Sequence, residues 1–301
     1  MKKIVIGTLC VSSLLFSFDE VFLDALYLPT DVMPSRQTPI RSVNYHIMPY
    51  AEYLSYSGET TKDIGSIGGV YISNIARTYK TEIDIKYTNI SIKNDTDYKQ
   101  AEFSLLLNYI PYQINYIMGM HYIKNNTEYT DNGIVLITGV IKTTNSYKYG
   151  SYLYYSNYSN ANDTSPDFIQ LSPQIGFNIG NSPYVWNRFY VEARFDYTKT
   201  LINKDENDLK SSYSSGELSF SAYNGPFSTS AGVWFGKRNF IVRNKGLVVD
   251  NINQNQTGGV KIAENYQIDK FSSITLGYEY TNFDDSKSEL SNILLSYDQK
   301  F

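Results

Sequence analysis

From residue 41 onward, apolar and polar side chains alternate along the chain in segment after segment. The clearest is 112–124, where Tyr112, Ile114, Tyr116, Met118, Met120 and Tyr122 occupy every second position without a break. In 80–93, Ile83, Ile85 and Tyr87 oppose Glu82, Asp84 and Lys86; in 188–199, Phe189, Val191, Ala193, Phe195 and Tyr197 oppose Glu192, Arg194 and Asp196. A period of two is that of a β-strand with unlike environments on its two faces. The same reading predicts strands at 41–56, 67–77, 98–109, 133–144, 147–158, 168–179, 212–224, 227–239, 257–268, 272–282 and 289–301. The faces of two of them, 133–144 and 147–158, stay unassigned. The segment at 67–77 is interrupted by glycines and is weaker.

Each segment is eleven residues or longer, about twice the mean strand of a soluble sheet and enough to cross a bilayer when tilted. Their connections alternate in character. Short ones fall near Ile110-Pro111, Asn145-Ser146, Gly225-Pro226 and Asp269-Lys270; long polar ones fall at 125–132, 159–167, 200–211 and 240–256. Tight turns on one side and long loops on the other suit an up-and-down barrel. The connections 180–187 and 283–288 fit this alternation less well, so the expected count of 14 strands carries a range of 12–16. Closure follows from solvation: an open sheet edge in hydrocarbon leaves backbone donors and acceptors unsatisfied, at several kcal/mol each. The fold expected is therefore all-β, a closed antiparallel transmembrane β-barrel spanning 41–301.

The last segment places Ile293, Leu295, Tyr297 and Phe301 on one face, with Asn292, Ser296, Asp298 and Lys300 on the other. This stretch resembles the C-terminal assembly signal of Gram-negative outer-membrane β-barrel proteins, which ends on an aromatic residue with apolar residues at alternate positions upstream. Gln299 departs from it, standing where that signal usually has an apolar residue. The resemblance implies a barrel, an outer-membrane location and, as partners, the barrel-assembly machinery with outer-membrane lipid and lipopolysaccharide. In size and strand number the chain is similar to small monomeric porins.

Composition adds bounds. Met1-Lys2-Lys3 and the apolar run to Phe18 read as a secretory signal peptide over about 1–17, too short for a spanning helix. The only cysteine, Cys10, lies within it, so the mature chain has no thiol chemistry. Residues 18–40 contain Pro29, Pro34 and Pro39 and are expected as a periplasmic lead-in or a plug in the lumen. The net charge of −4 makes nucleic acid an improbable partner. The mean hydropathy of −0.34 looks soluble, but in a barrel only alternate residues meet lipid.

Catalytic signatures are sparse. His46 and His121 fall on the inner face of their strands, and serine is common enough that one could lie beside either. Asp284-Asp285 is an acidic pair in a loop. No phosphate loop or metal-ligand spacing stands out, so no cofactor, no metal and no enzymatic activity are expected. The inner face carries the remaining chemistry: Glu52, Glu82, Asp84, Glu102, Glu192, Asp196, Glu217, Glu279 and Asp298 against Lys86, Arg194, Arg238 and Lys300. An acidic lumen favours cations. The function expected is a porin-like channel for small hydrophilic solutes with mild cation preference. The alternatives are a channel for hydrophobic compounds with an N-terminal plug, an adhesin or structural barrel, and a surface hydrolase. The oligomeric state is left open.

Overall fold

The computed structural model describes residues 44–58, 62–92, 96–127, 130–158, 165–179, 188–202, 209–251, 254–284 and 288–301. The expected signal peptide, the segment 18–40, the connection 180–187 and Asp285 lie outside the described residues.

Fourteen long antiparallel strands form a closed barrel. In chain order they are β1 (Asn44–Ser57), β2 (Lys62–Ala76), β3 (Tyr79–Ser91), β4 (Tyr98–Tyr109), β5 (Ile114–Asn125), β6 (Gly133–Thr143), β7 (Tyr147–Asn157), β8 (Asp167–Ile179), β9 (Arg188–Ile202), β10 (Ser212–Asn224) and β11 (Phe227–Arg238). A short hairpin of β12 (Val242–Arg243) and β13 (Val248–Val249) follows, and β14 (Gln256–Gln267), β15 (Ser272–Phe283) and β16 (Glu289–Lys300) complete the wall. Each wall strand pairs with its sequence neighbours, except that β11 pairs with β14 past the hairpin, and β1 pairs with β16 to close the seam. At that seam the Phe301 N–H donates to the Tyr45 carbonyl at 2.9 Å.

Alternation along each strand becomes outside and inside. Ile85, Phe103, Leu136, Leu171, Leu218, Leu276 and Leu295 are exposed on the outer surface, and tyrosines gather toward both rims. At the rim holding the barrel's two chain ends, the rings of Tyr79, Tyr109 and Tyr116 stack in a row, 5.1 and 6.3 Å apart. An apolar band between aromatic girdles is the outer surface a bilayer requires. Ile293, Leu295, Tyr297 and Phe301 all face outward in it.

Three details differ from the sequence reading. Tyr112 does not begin a strand: it sits in the β4–β5 turn with φ of 50°, almost fully exposed. The second strand starts at Lys62 and runs on through its glycines, of which Gly65 and Gly69 lie against Ile90 and Tyr50 of the neighbouring strands while Gly68 meets open space. A side chain at Gly69 would place its Cβ 2.3 Å from the side chain of Tyr50, its partner on the neighbouring strand. Third, the connection between β11 and β14, read as an outer loop, folds into the barrel.

Candidate functional site

The inward connection explains itself residue by residue. Asn239 to Asn251 reads Asn-Phe-Ile-Val-Arg-Asn-Lys-Gly-Leu-Val-Val-Asp-Asn, two apolar runs around Asn-Lys-Gly. Val242 pairs with Val249 and Arg243 with Val248, a two-stranded hairpin. At its tip Asn244, Lys245 and Gly246 all have positive φ, at 52°, 60° and 92°. For the two non-glycine residues this is a conformation that local structure must hold in place.

The surrounding wall supplies that hold. Gln170 of β8 donates from Nε2 to the Val242 carbonyl at 2.7 Å and accepts from the Val242 N–H at 2.8 Å, so one side-chain amide completes the hairpin's edge as a strand would. Lys86 of β3 donates to the Leu247 carbonyl at 3.3 Å, and Asn251 donates to Gln100 of β4 at 2.8 Å. Arg243 bridges Asp250 at 3.1 Å and Glu279 of β15 at 3.3 Å. Phe240 stacks on Phe168 with ring centroids 4.5 Å apart. The hairpin's apolar residues join Leu106, Ile117, Ile123, Val135, Ile137 and Ile141, the inward apolar residues of β4 to β6, in one buried cluster. A polar lumen thus contains a small apolar core, and the hairpin spans the interior from β8 to β3 and β15.

His121 meets the tip. Its Nε2 lies 2.8 Å from Glu102 Oε2, and its Nδ1 lies 2.7 Å from Ser104 Oγ and 2.9 Å from the Gly246 carbonyl. Serine, histidine and carboxylate in sequence resemble a catalytic triad. The fourth partner, the Gly246 carbonyl, shares the Nδ1 side of the ring with Ser104, so the imidazole is held between the wall and the hairpin tip. The three residues are fully buried beneath Gly246. The arrangement is built to hold the hairpin tip.

Glu52, Glu82, Asp84, Lys86, Glu102, Glu192, Arg194, Asp196, Glu217, Arg238, Glu279 and Asp298 all point into the barrel. The structure brings several together. Glu217 accepts from Arg194, Arg238 and Lys261 at 2.7, 2.8 and 2.5 Å, and Asp196 receives the same two arginines at 3.3 and 3.5 Å. Glu102 pairs with Lys86 at 2.7 Å. Asp298 meets His46 at 3.5 Å. The interior cations absent from the sequence reading are Lys80, Lys148, Lys261, Arg243 and Lys245. Lys80 had the parity of Glu82 and Lys86 and was legible. Lys148 lay on a strand whose faces were not separable, whereas Lys261 alternates with the outward Val260 and Ile262 and was legible. Arg243 and Lys245 were hidden by reading their segment as an outer loop, although its Asn-Lys-Gly turn between apolar runs was a hairpin signal.

Asp284 pairs with Lys237 at the far rim at 2.9 Å, and this partner holds its carboxyl below the usual range. Among the described residues there is no group of three or more His, Cys, Asp or Glu side chains that could hold a metal ion. A small cavity beneath the hairpin is lined by the stacked rings of Tyr152 and Tyr154 with Gln174, Arg194, Val242 and Lys245.

No protein-family model matches this sequence, and no curated protein does. Solved structures match along most of the barrel. The toluene transporter TodX of Pseudomonas putida aligns with a TM-score of 0.51 at 8% identity, over 86% of this chain and 90% of that one. The outer membrane protein Omp33 of Acinetobacter baumannii gives 0.46 at 9% identity over 87% and 100%. The translocator domain of the autotransporter NalP from Neisseria meningitidis gives 0.44 at 9% identity over 85% and 88%. At these identities the likeness to TodX is one of fold: this chain is a closed antiparallel β-barrel of fourteen strands.

Proposed function

We propose that this protein is an outer-membrane channel for the passive diffusion of small hydrophilic solutes, with mild cation preference and with the hairpin at 239–251 as its constriction. The observation that carries the reading is the contrast between the two faces of one wall. The outside is apolar between rings of tyrosine, and the inside is crowded with charged, amide and hydroxyl groups that reach the hairpin. Such an interior disfavours hydrophobic compounds, which would have to pass buried charges and ion pairs. Fourteen strands lie between the eight that side chains fill and the sixteen that leave a wide aqueous channel, so an inward hairpin is enough to set the width.

In this reading the rim with the barrel's two chain ends faces the periplasm, and the hairpin enters from the outer side. The tyrosine girdles meet lipid and lipopolysaccharide headgroups, and Ile293, Leu295, Tyr297 and Phe301 present the signal for barrel assembly. The His121 contacts serve the constriction and no hydrolytic step.

The test is electrical. Purified protein in a planar bilayer is expected to show stepwise conductance of small amplitude with a cation-positive selectivity. A barrel that inserts and stays silent at all voltages overturns the proposal.

A further inference from the structure

The hairpin is held unequally on its two sides. Toward β4, β5 and β6 the packing is dry. Leu247 and Val248 share one buried apolar cluster with Leu106, Val135 and Ile137 of the wall. Beside Gly246 there is no room for a methyl group, since a Cβ there would stand 2.2 Å from Ile137. His121 fixes the tip on the same side, 2.9 Å from the Gly246 carbonyl. A solute passing here would have to break an apolar core, at the full cost of exposing it.

Toward β7, β8 and β9 the hairpin stands off from the wall. A cavity of about 10 Å³, room for one water, lies between Asn244 and Lys245 of the hairpin and the inward side chains of Tyr154, Ser172, Gln174 and Arg194. A second, independent feature marks the same gap. Asn244 is more than nine-tenths buried, and its Oδ1 meets no donor among the described residues. A buried amide oxygen at a polar cavity is the kind of group that an ordered water satisfies. Gln170 holds the hairpin to β8 through its two bonds to Val242. Hydrogen bonds beside a hydrated gap are readily exchanged for bonds to water; apolar packing has no such substitute.

The lining of the gap is balanced in charge. Glu192 and Asp196 stand with Arg194 and Lys245 around it. Both acids have cationic partners, Lys148 at 3.3 Å for Glu192 and Arg194 at 3.3 Å for Asp196. The rings of Tyr152 and Tyr154 run nearly parallel along the same lining, 14° apart. With two groups of each sign, the gap sorts by size and polarity rather than by charge, which fits a channel whose cation preference is mild.

We propose that the path through the constriction runs between the hairpin and the β7–β9 wall, that Ser172, Gln174, Arg194 and Lys245 set its width, and that it passes water and small polar solutes of either charge. With Gln170 bonded to Val242 the gap is one water wide. A larger solute crosses when the hairpin pivots off β8 on its dry seat against β4–β6. The inference rests on the channel reading above and assigns its path to one side of the hairpin.

The experiment reads the sides of the hairpin separately. Cys10 is the chain's one cysteine, so a Cys10→Ser background accepts single reporters: Ser172→Cys or Gln174→Cys in the gap, Val135→Cys in the dry core and Thr281→Cys, buried on β15 outside the gap's lining. Each protein is inserted in lipid vesicles and treated with methanethiosulfonate ethylammonium. Adducts are followed by mass spectrometry, and current is followed in planar bilayers. Ser172→Cys and Gln174→Cys are expected to label at least about tenfold faster than the other two, which react only through local opening, and to lose conductance as they label. Adding Gln170→Ala is expected to speed labelling of Ser172→Cys and to leave Val135→Cys unchanged. Ser172→Cys exchanges only oxygen for sulfur, which guards against a folding defect in Gln174→Cys. Equal labelling of Val135→Cys, or faster labelling of Thr281→Cys, overturns the path and leaves the channel standing. Labelling in the gap with conductance unchanged also overturns it. A wild-type barrel that is silent before any labelling overturns the channel reading, and this inference with it.

Discussion

Strands β3 and β6 are both wall staves of one barrel, and their sequences look nothing alike. β3 places Glu82, Asp84, Lys86 and Thr88 inside and Ile83, Ile85 and Tyr87 outside. β6 places Val135, Ile137 and Ile141 inside and Ile134, Leu136 and Val140 outside. The outer faces meet the same kind of surroundings. The inner faces do not: β3 looks onto ions and hydroxyls, whereas β6 lies under the hairpin, with Ile137 against Gly246. Alternation in a barrel strand therefore reports what fills the lumen at that height. Where protein fills it, both faces become apolar and the period-two contrast disappears.

The largest test of this difference removes the hairpin. Replacing residues 241–249 by a short Gly/Ser linker is expected to leave the barrel closed, because no wall pairing runs through them, and to raise single-channel conductance severalfold. An unchanged conductance would mean that the hairpin does not limit the path. Ile137→Ala, next in size, is expected to destabilise the docked state by about 2–4 kcal/mol, read by urea refolding in lipid vesicles, through lost burial and a cavity under the tip. Gly246→Ala follows. Its φ of 92° strains an alanine, and the new Cβ would stand 2.2 Å from Ile137. An undocking cost of about 1–3 kcal/mol is expected, measured as faster proteolysis at the hairpin.

Gln170→Ala removes both amide bonds to Val242 and leaves that backbone exposed, for about 1–2 kcal/mol. Its signature is noisier open-channel current rather than loss of the barrel. On β3 the smallest effect is expected: Asp84→Asn keeps an acceptor for Tyr50 and should shift refolding stability by less than about 1 kcal/mol. If Asp84→Asn proved as costly as Ile137→Ala, the distinction between an ion-lined and a protein-lined wall would fail.

The same distinction accounts for what the sequence revealed. The barrel was legible because most strands separate lipid from water or ions: β4 and β10 run over the same residues as their alternating segments. The inward direction of Glu217 and Asp298 followed from that parity. What was not legible depends on contacts between distant residues. Phe240 to Val249 is polar enough at its centre to pass for an outer loop, and only the wall partners Gln170, His121 and Glu279 show why it turns inward. The meeting of Ser104, His121 and Glu102 comes from strand register, which no local motif encodes. The count of acids over bases hinted at a negative lumen, but it could not say that Glu217 is neutralised three times over while Glu52 is left with an amide.

The seam carries a consequence for how such a molecule comes into being. Glu52 and Asn292 bond to each other across 240 residues of chain. Until β16 pairs with β1, β1 has a free edge along its whole length, and the sheet is an open fourteen-stranded ribbon. Every earlier pairing is between neighbours and can form locally; this one has the longest loop to close and comes with no local help. Biogenesis of the barrel is then a race between one distant handshake and every other chain that could take the exposed edge.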